Sequence, residues 1–289
     1  MTLRNMHDIG GCRAIVKSLK RVRKIERDLR KQKDFRIRDY IKNPKDDGYR
    51  GIHLTGDFGN RSNGKRRIEI QLRTKLQHAW ATAVEIVDLF TGQAIKSSQG
   101  SKDWTEFFRS AADQFAIIET ISVFEDKNSR IIAGELFNRI NQNRLKDNSI
   151  SKDSNKDLYF YAEKLDAIDQ FAAFAGSLNV TEKKLKIPQN GYALIQIDTK
   201  KFNLSTLMFS EQEFPEATDA YLQAEKSSSL DKNVIVALVS TGAFGDLKSA
   251  YPNYYADSAQ LVYYIGVCID VYKLRNPSSL GRAISKIFG

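Results

Sequence analysis

Arg66-Arg67-Ile68-Glu69-Ile70-Gln71-Leu72-Arg73-Thr74 decides how the first half of this 289-residue chain is read. Ile68, Ile70 and Leu72 alternate with Glu69, Gln71 and Arg73, the period of two that a strand shows when one face is packed and the other is not. Such a strand sets a carboxylate, an amide and a guanidinium side by side on its polar face. Its neighbours follow from the same logic. Gly51 to Phe58 reads as a strand, and Gly59-Asn-Arg-Ser-Asn-Gly-Lys65 as the polar hairpin turn between the two. Cys12 to Val16 is a short apolar run suited to a buried strand, and Leu19, Val22, Ile25 and Leu29 place a helix over 18–33. Asn43-Pro-Lys-Asp-Asp-Gly48 has loop chemistry, with Gly48 free to take a positive φ. A helix from Gln77 turns Ala79, Trp80, Ala83, Val84 and Val87 inward, and amphipathic helices over 104–124 and 128–145 follow as scaffold.

The polar stretch 146–156, KDNSISKDSNK, lacks apolar periodicity and marks the expected domain boundary. Beyond it the pattern predicts a helix over 158–178, a strand over 192–198, a helix over 214–225, a strand over 234–240 and a helix over 257–272. The expected fold is therefore α+β: a mixed β-sheet flanked by helices over residues 1–145, then a second, smaller α/β domain over 157–289. The aromatic stretch Ala250-Tyr-Pro-Asn-Tyr-Tyr-Ala-Asp257 reads as packing around a turn.

Net charge is +10, with a dense series of Lys and Arg from Lys17 to Lys45. A polyanionic partner and a solvated helix face both account for the run Lys20-Arg21-Val22-Arg23-Lys24. No apolar run reaches the ~18 residues of a membrane span. Nothing at the amino terminus resembles a secretory signal, so a cytoplasmic location is expected. Cys12 and Cys268 are too few for a disulfide framework or a zinc ribbon and read as buried small apolar residues.

Asp8, Glu69 and Glu85 are the acidic positions to weigh as metal ligands. Phosphoryl transfer uses Mg²⁺ held by one or two carboxylates plus phosphate oxygens, which Asp8 and Glu69 could supply. Spacing alone favours solvated carboxylates.

Four further stretches belong together: Asp8-Ile-Gly-Gly-Cys-Arg13; Asp39-Tyr-Ile-Lys-Asn-Pro-Lys45-Asp-Asp-Gly-Tyr49-Arg-Gly-Ile-His53; Glu69-Ile-Gln-Leu-Arg-Thr74; and Gln77-His-Ala-Trp80. In order and spacing they resemble the successive motifs of the RelA/SpoT synthetase domain. The resemblance implies an alarmone synthetase that moves pyrophosphate from ATP to the 3′-hydroxyl of GDP or GTP, giving (p)ppGpp and AMP. It implies that Asp8 and Glu69 hold Mg²⁺, with Glu69 also assisting removal of the hydroxyl proton. Arg38 and Lys45 would sit on phosphates and Tyr49 would stack on the acceptor base. His53, Gln71 and Arg73 would line the same pocket, and Arg13 is a further phosphate-binding candidate. His78 and Trp80 read as packing residues, and Gln77 is left open.

Two departures accompany the match. The family's adenosine-binding basic residues lie upstream of the position matching Asp8, where this sequence has seven residues, so the ATP side is expected to be lacking. Gly51 stands where many members have Ser. Three alternatives follow: the same chemistry on the 3′ end of tRNA, as in toxin-type relatives, a nucleotide-binding regulator without transfer, and an HD-type phosphohydrolase suggested by His7-Asp8. The last fails because the chain has three histidines and none precedes His7. A homo-oligomer or a neutralising partner protein fits the resemblance as well.

Overall fold

The computed structural model describes residues 10–32, 35–59, 66–91, 101–121, 129–141, 154–184, 190–198, 203–228, 231, 234–243 and 254–277. The chain divides into two compact units. The first comprises Met1–His78, Phe108–Leu158 and Val267–Gly289, the second Ala79–Phe107 and Tyr159–Gly266.

The first unit is built on a four-stranded mixed sheet of β1 (Gly11–Val16), β2 (Arg36–Asp39), β3 (Ile52–Phe58) and β4 (Arg66–Thr74), in the order β1-β4-β3-β2. β1 runs parallel to β4, while β3 is antiparallel to both β4 and β2. The helix α1 (Leu19–Gln32) crosses over between β1 and the rest, as a parallel pair requires. Its apolar stripe covers one face of the sheet: Val22 packs with Ile41, Ile52, Leu54 and Leu72, and Leu19, Ile25, Leu29 and Ile70 close around them. Leu72 is 1% exposed, so truncating it to Ala would cost about 2–5 kcal/mol. With that face sealed by α1, the residues of opposite parity are left for chemistry. Cys12, expected inside, is exposed, because β1 is an edge strand.

α2 (Lys75–Thr91) starts two residues before the expected Gln77, and the reason is local. Thr74 is its N-cap: Gln77 N donates to Thr74 Oγ1 at 3.1 Å while Thr74 N donates to Gln77 Oε1 at 3.1 Å, a reciprocal capping box. His78 and Trp80 are buried, as packing residues should be. α3 (Lys102–Ile118) ends earlier than expected, and Thr120 N and Ile121 N close its last turn onto Ile117 O and Ile118 O. α4 spans Ser129–Asn141.

Most of the polar stretch 146–156 lies outside the described residues, and its end is not a solvated linker. Ser154 and Asn155, each 1% exposed, open α5 (Ser154–Lys164). Gln114 Nε2 donates to Ser154 Oγ at 2.7 Å, and Asn155 Nδ2 donates to Cys268 O at 2.9 Å, so both polar side chains are satisfied inside.

The second unit holds an antiparallel sheet of β5 (Gly191–Asp198), β6 (Asn203–Ser210) and β7 (Val234–Ser240), ordered β6-β5-β7. β6 is a strand the sequence pattern passed over, although Leu204, Thr206 and Met208 alternate along it. Helix α6 (Ala167–Lys184) is separate from α5 because Asp166 takes φ 47°, a left-handed residue that ends a helix. α7 (Phe214–Ser228) packs against the sheet, and α8 (Tyr254–Arg275) is the last described helix. Phe90 stacks on Phe174 at 4.5 Å in this unit's core. Residues 250–253 of the aromatic stretch lie outside the described residues, and Tyr254 to Asp257, expected at a turn, open α8. No described helix is long and apolar enough to cross a membrane.

Candidate functional site

The polar residues of the first sheet fall on one line. Arg13 on β1 pairs with Gln71 on β4, Gln71 with His53 on β3, and His53 with Arg38 on β2. Residues opposite one another in a ladder share a face, so these four side chains form a row across all four strands. The next row carries Glu69, Thr55 and Arg36. Seven of the nine residues singled out by the resemblance thus lie in or beside these rows: Arg13, Arg38, Tyr49, His53, Glu69, Gln71 and Arg73. Lys45 reaches them from the loop, and Asp8 lies outside the described residues.

Hydrogen bonds tie five of the side chains into a closed ring. His53 Nδ1 meets Glu69 Oε1 at 2.8 Å, and His53 Nε2 meets the Tyr49 hydroxyl at 2.6 Å. Arg73 Nε donates to that hydroxyl at 3.1 Å and Arg73 Nη2 donates to Gln71 Oε1 at 3.0 Å. Gln71 Nε2 donates to Glu69 Oε2 at 2.8 Å and completes the circuit. Arg13 Nε sits 3.5 Å from Gln71 Oε1, at the limit of a hydrogen bond.

Charge in the ring is uneven. Burial pushes the Glu69 carboxyl up, but donation from Gln71 and His53 and the Arg38 charge outweigh it and hold the group below the usual carboxylate range. Burial lowers the His53 pKa; Glu69 raises it by charge and hydrogen bond, but burial, with Arg73 and Lys45 adding to it, outweighs that attraction. The 2.8 Å contact of His53 with Glu69 is therefore a hydrogen bond from a neutral imidazole, although its distance also fits an ion pair.

Tyr49 is held by its loop. Asp47 Oδ1 accepts from Tyr49 N at 2.8 Å, and Gly48 N donates to Lys45 O at 2.9 Å. Gly48 has φ 92°, and a methyl there would lie 3.0 Å from Ala112 Cβ and from Arg109 Cα. Its glycine thus answers to the close approach of α3. Arg109 Nε, donating to Asp46 O at 3.0 Å, fastens the same loop. Tyr40, Tyr49 and His53 meet edge to face with centroids 5.1–5.6 Å apart. The Lys45 ammonium lies 5.1 Å from the Tyr40 ring and 5.0 Å from the Tyr49 ring.

Four participants escaped the sequence reading. Tyr40 touches both aromatic members, and only its adjacency to Asp39 hinted at it. Arg36 and Arg67 join Arg38, Thr55, Asp57 and Glu69 around a cavity of about 260 Å³. Arg36 stands two residues from Arg38, a period-two signal open to reading. Glu119 is half-buried, and its carboxyl is pushed up to about 7 by burial, against donation from Thr74 and Gln77. Of the basic run, Arg23 is spent on structure, pairing with Asp39 and Glu26, whereas Lys20, Arg21 and Lys24 are exposed.

Among the described residues no three His, Cys, Asp or Glu side chains converge as a metal site. Glu69, a carboxylate beside arginines, fits the sparse protein ligation of Mg²⁺, which takes much of its shell from phosphate and water.

Residues 1–87 match the family model described as the region found in RelA / SpoT proteins. A stretch of 84 residues is 34% identical to GTP pyrophosphokinase YwaC of Bacillus subtilis, covering 27% of this chain and 40% of that protein. Two solved structures are also similar. One is small alarmone synthetase 1 of Bacillus subtilis bound to its product pppGpp, at 21% identity and TM-score 0.34, covering 41% of this chain and 63% of that one. The other is a GTP pyrophosphokinase family protein from Streptococcus pneumoniae, at 23% identity and TM-score 0.33, covering 49% and 71%. This chain therefore spans less than half the length of the curated relative it matches.

Proposed function

We propose that this chain, whose residues 1–87 carry the RelA/SpoT region, is a nucleotide pyrophosphokinase that uses the polar face of its first sheet as the acceptor site. The observation that carries the reading is Glu69, kept ionised by donors on both carboxylate oxygens and flanked by arginines. An ionised carboxylate next to fixed positive charge suits abstraction of a proton from a hydroxyl that attacks phosphate.

In the proposed reaction the acceptor's 3′-oxygen bonds to the β-phosphorus of ATP in line. The bond from that phosphorus to the bridging oxygen breaks, AMP leaves, and the hydroxyl proton passes to Glu69. Glu69, with Asp8, would hold Mg²⁺, which would supply positive charge to offset that of the donor phosphates. Arg36, Arg38 and Arg67 would meet phosphates in the cavity beside Glu69. Lys45 would do so from its loop, and its departure toward a phosphate would clear the Tyr49 and Tyr40 rings for the acceptor base. ATP and guanine nucleotides place such an enzyme in the cytoplasm.

The acceptor we favour is GDP or GTP. The 3′ end of tRNA is the second reading, favoured by the exposed Lys17, Lys20, Arg21, Lys24, Arg27 and Lys31 on and beside α1. Incubation with β-labelled ATP and GDP, GTP or deacylated tRNA tests all of this. Label on a guanine nucleotide supports the first reading and label on RNA alone the second. Nucleotide binding without transfer in any mixture leaves a regulator. Glu69→Gln should lower transfer by about 10²–10⁴-fold with the fold intact.

A further inference from the structure

We propose that Tyr49 and Arg73 are positioning residues: they fix His53 as the tautomer with its proton on Nδ1, so that both oxygens of Glu69 are gripped from a single source, the Arg73 guanidinium. The inference rests on the function proposed above for its catalytic consequence, but the hydrogen-bond order it describes stands without it.

The ring has one direction of donation. An arginine side chain only donates, and an ionised carboxylate only accepts. Two arms run between these ends. In one, Arg73 Nη2 donates to Gln71 Oε1, which turns the amide so that Nε2 donates to Glu69 Oε2. In the other, Arg73 Nε donates to the Tyr49 oxygen, which turns the hydroxyl proton toward His53 Nε2 and leaves the imidazole proton on Nδ1, facing Glu69 Oε1. With the imidazole neutral, reversing any member would set donor against donor or acceptor against acceptor at the next contact. Arms polarised end to end also strengthen one another in a medium that excludes water. Arg73 is 5% and Tyr49 8% exposed, so water competes little for these groups.

The second observation is the space left for the Tyr49 hydroxyl. A methyl on Gly51 would lie 3.1 Å from that oxygen and 3.5 Å from Arg73 Cγ. Gly51 is the position where the resemblance leads one to expect a serine, so its bare backbone here is tied to the close seating of Tyr49 over Arg73. The guanidinium carbon lies 5.0 Å from the centre of the Tyr49 ring, and Tyr40 buttresses both Tyr49 and His53 edge-on. Each ring therefore has its orientation set by packing, and the polar atoms in the two arms by the hydrogen-bond order, while Arg73 Nη1 lies buried outside both arms.

Glu69 then meets an acceptor hydroxyl or a cation with lone pairs whose direction is already set. Losing the Tyr49 hydroxyl should free the His53 ring while sparing the aromatic surface that a base would stack on. That separates a positioning role from a stacking role within one residue, because Tyr49→Phe keeps the ring and deletes only the oxygen.

The test uses the full chain labelled with ¹⁵N. It carries three histidines, His7, His53 and His78, so imidazole correlation spectra are sparse, and the His53 signals are those that vanish in His53→Asn. The wild type should show His53 protonated on Nδ1 near neutral pH, while Tyr49→Phe and Arg73→Lys should show a tautomer mixture. Gly51→Ala, a milder change aimed at the same oxygen, should shift the same signals and guards against loss of fold in the other variants. In the transfer assay Tyr49→Phe should lower kcat by about 10–100-fold with acceptor KM little changed. A wild-type His53 protonated on Nε2, or an unchanged tautomer and kcat in Tyr49→Phe, would overturn the inference. Absence of any transfer by the wild type would instead overturn the proposed function, and the spectra would still decide the hydrogen-bond order.

Discussion

Arg23 on α1 grips Asp39 at the end of β2 with both terminal nitrogens, at 2.5 and 3.2 Å. Asp39 Oδ1 in turn accepts from Ile41 N at 3.1 Å and Lys42 N at 3.0 Å, which starts the loop that carries Tyr40, Lys45 and Tyr49. Asp39→Asn should cost about 1–2 kcal/mol, between the worth of an exposed pair and that of a buried one. Burial pushes the Asp39 carboxyl up, but Arg23 and the two backbone donors hold it below its ordinary value. A depressed carboxylate stabilises above its unfolded pKa and loses that contribution as pH falls through its folded value. Thermal unfolding of wild type and Asp39→Asn should therefore differ at neutral pH and converge in acid. A gap that does not narrow as the pH is lowered would contradict the assignment.

Glu119 behaves in the opposite sense. Its carboxyl accepts from Thr74 Oγ1 and, at 3.1 Å, from Gln77 Nε2, beneath the start of α2. With burial raising it to about 7, the folded state prefers the protonated acid, so the stability linked to it is present in mild acid and lost as pH rises through neutrality. Glu119→Gln, neutral at all pH and able to donate to Thr74 Oγ1, should match wild type near pH 5 and exceed it near pH 9 by on the order of 3 kcal/mol. Denaturant midpoints at the two pH values check this, and equal midpoints at high pH would refute it.

Gly48 should not tolerate a side chain. Gly48→Ala meets both a left-handed backbone and contacts of 3.0 Å to α3, so a loss of about 1–3 kcal/mol is expected. Because the same loop carries Lys45 and Tyr49, acceptor KM should rise more than kcat falls. Steady-state kinetics at varied acceptor concentration read both.

Lys45→Gln should weaken acceptor binding and make it less salt-sensitive, since one fixed charge is removed from an exposed loop. Titration of acceptor nucleotide at low and moderate salt measures it. An unchanged salt dependence would take Lys45 off the phosphates.

Periodicity along the chain announced the faces of β4, the stripe of α1 and the loop that needs Gly48, because those are properties of neighbours in sequence. The roles of Gln77 and Glu119 were not legible in that way. Gln77 closes a capping box with Thr74, three residues away, but it also donates to Glu119, 42 positions on. The end of the polar stretch 146–156 misled for a similar reason: Ser154 and Asn155 look like linker until Gln114 and Cys268 O satisfy them inside.

By itself, then, the sequence determined that Glu69, Gln71 and Arg73 share a polar strand face, since alternation of side chains is built into an extended backbone. Only the tertiary structure decided that Arg13, Gln71, His53 and Arg38 line up across four strands and that Tyr49 and His53 close a ring with that face. Register between strands and the seating of a loop are set by which distant surfaces bury one another, here α1 against the sheet and α3 against Gly48. No local pattern encodes them.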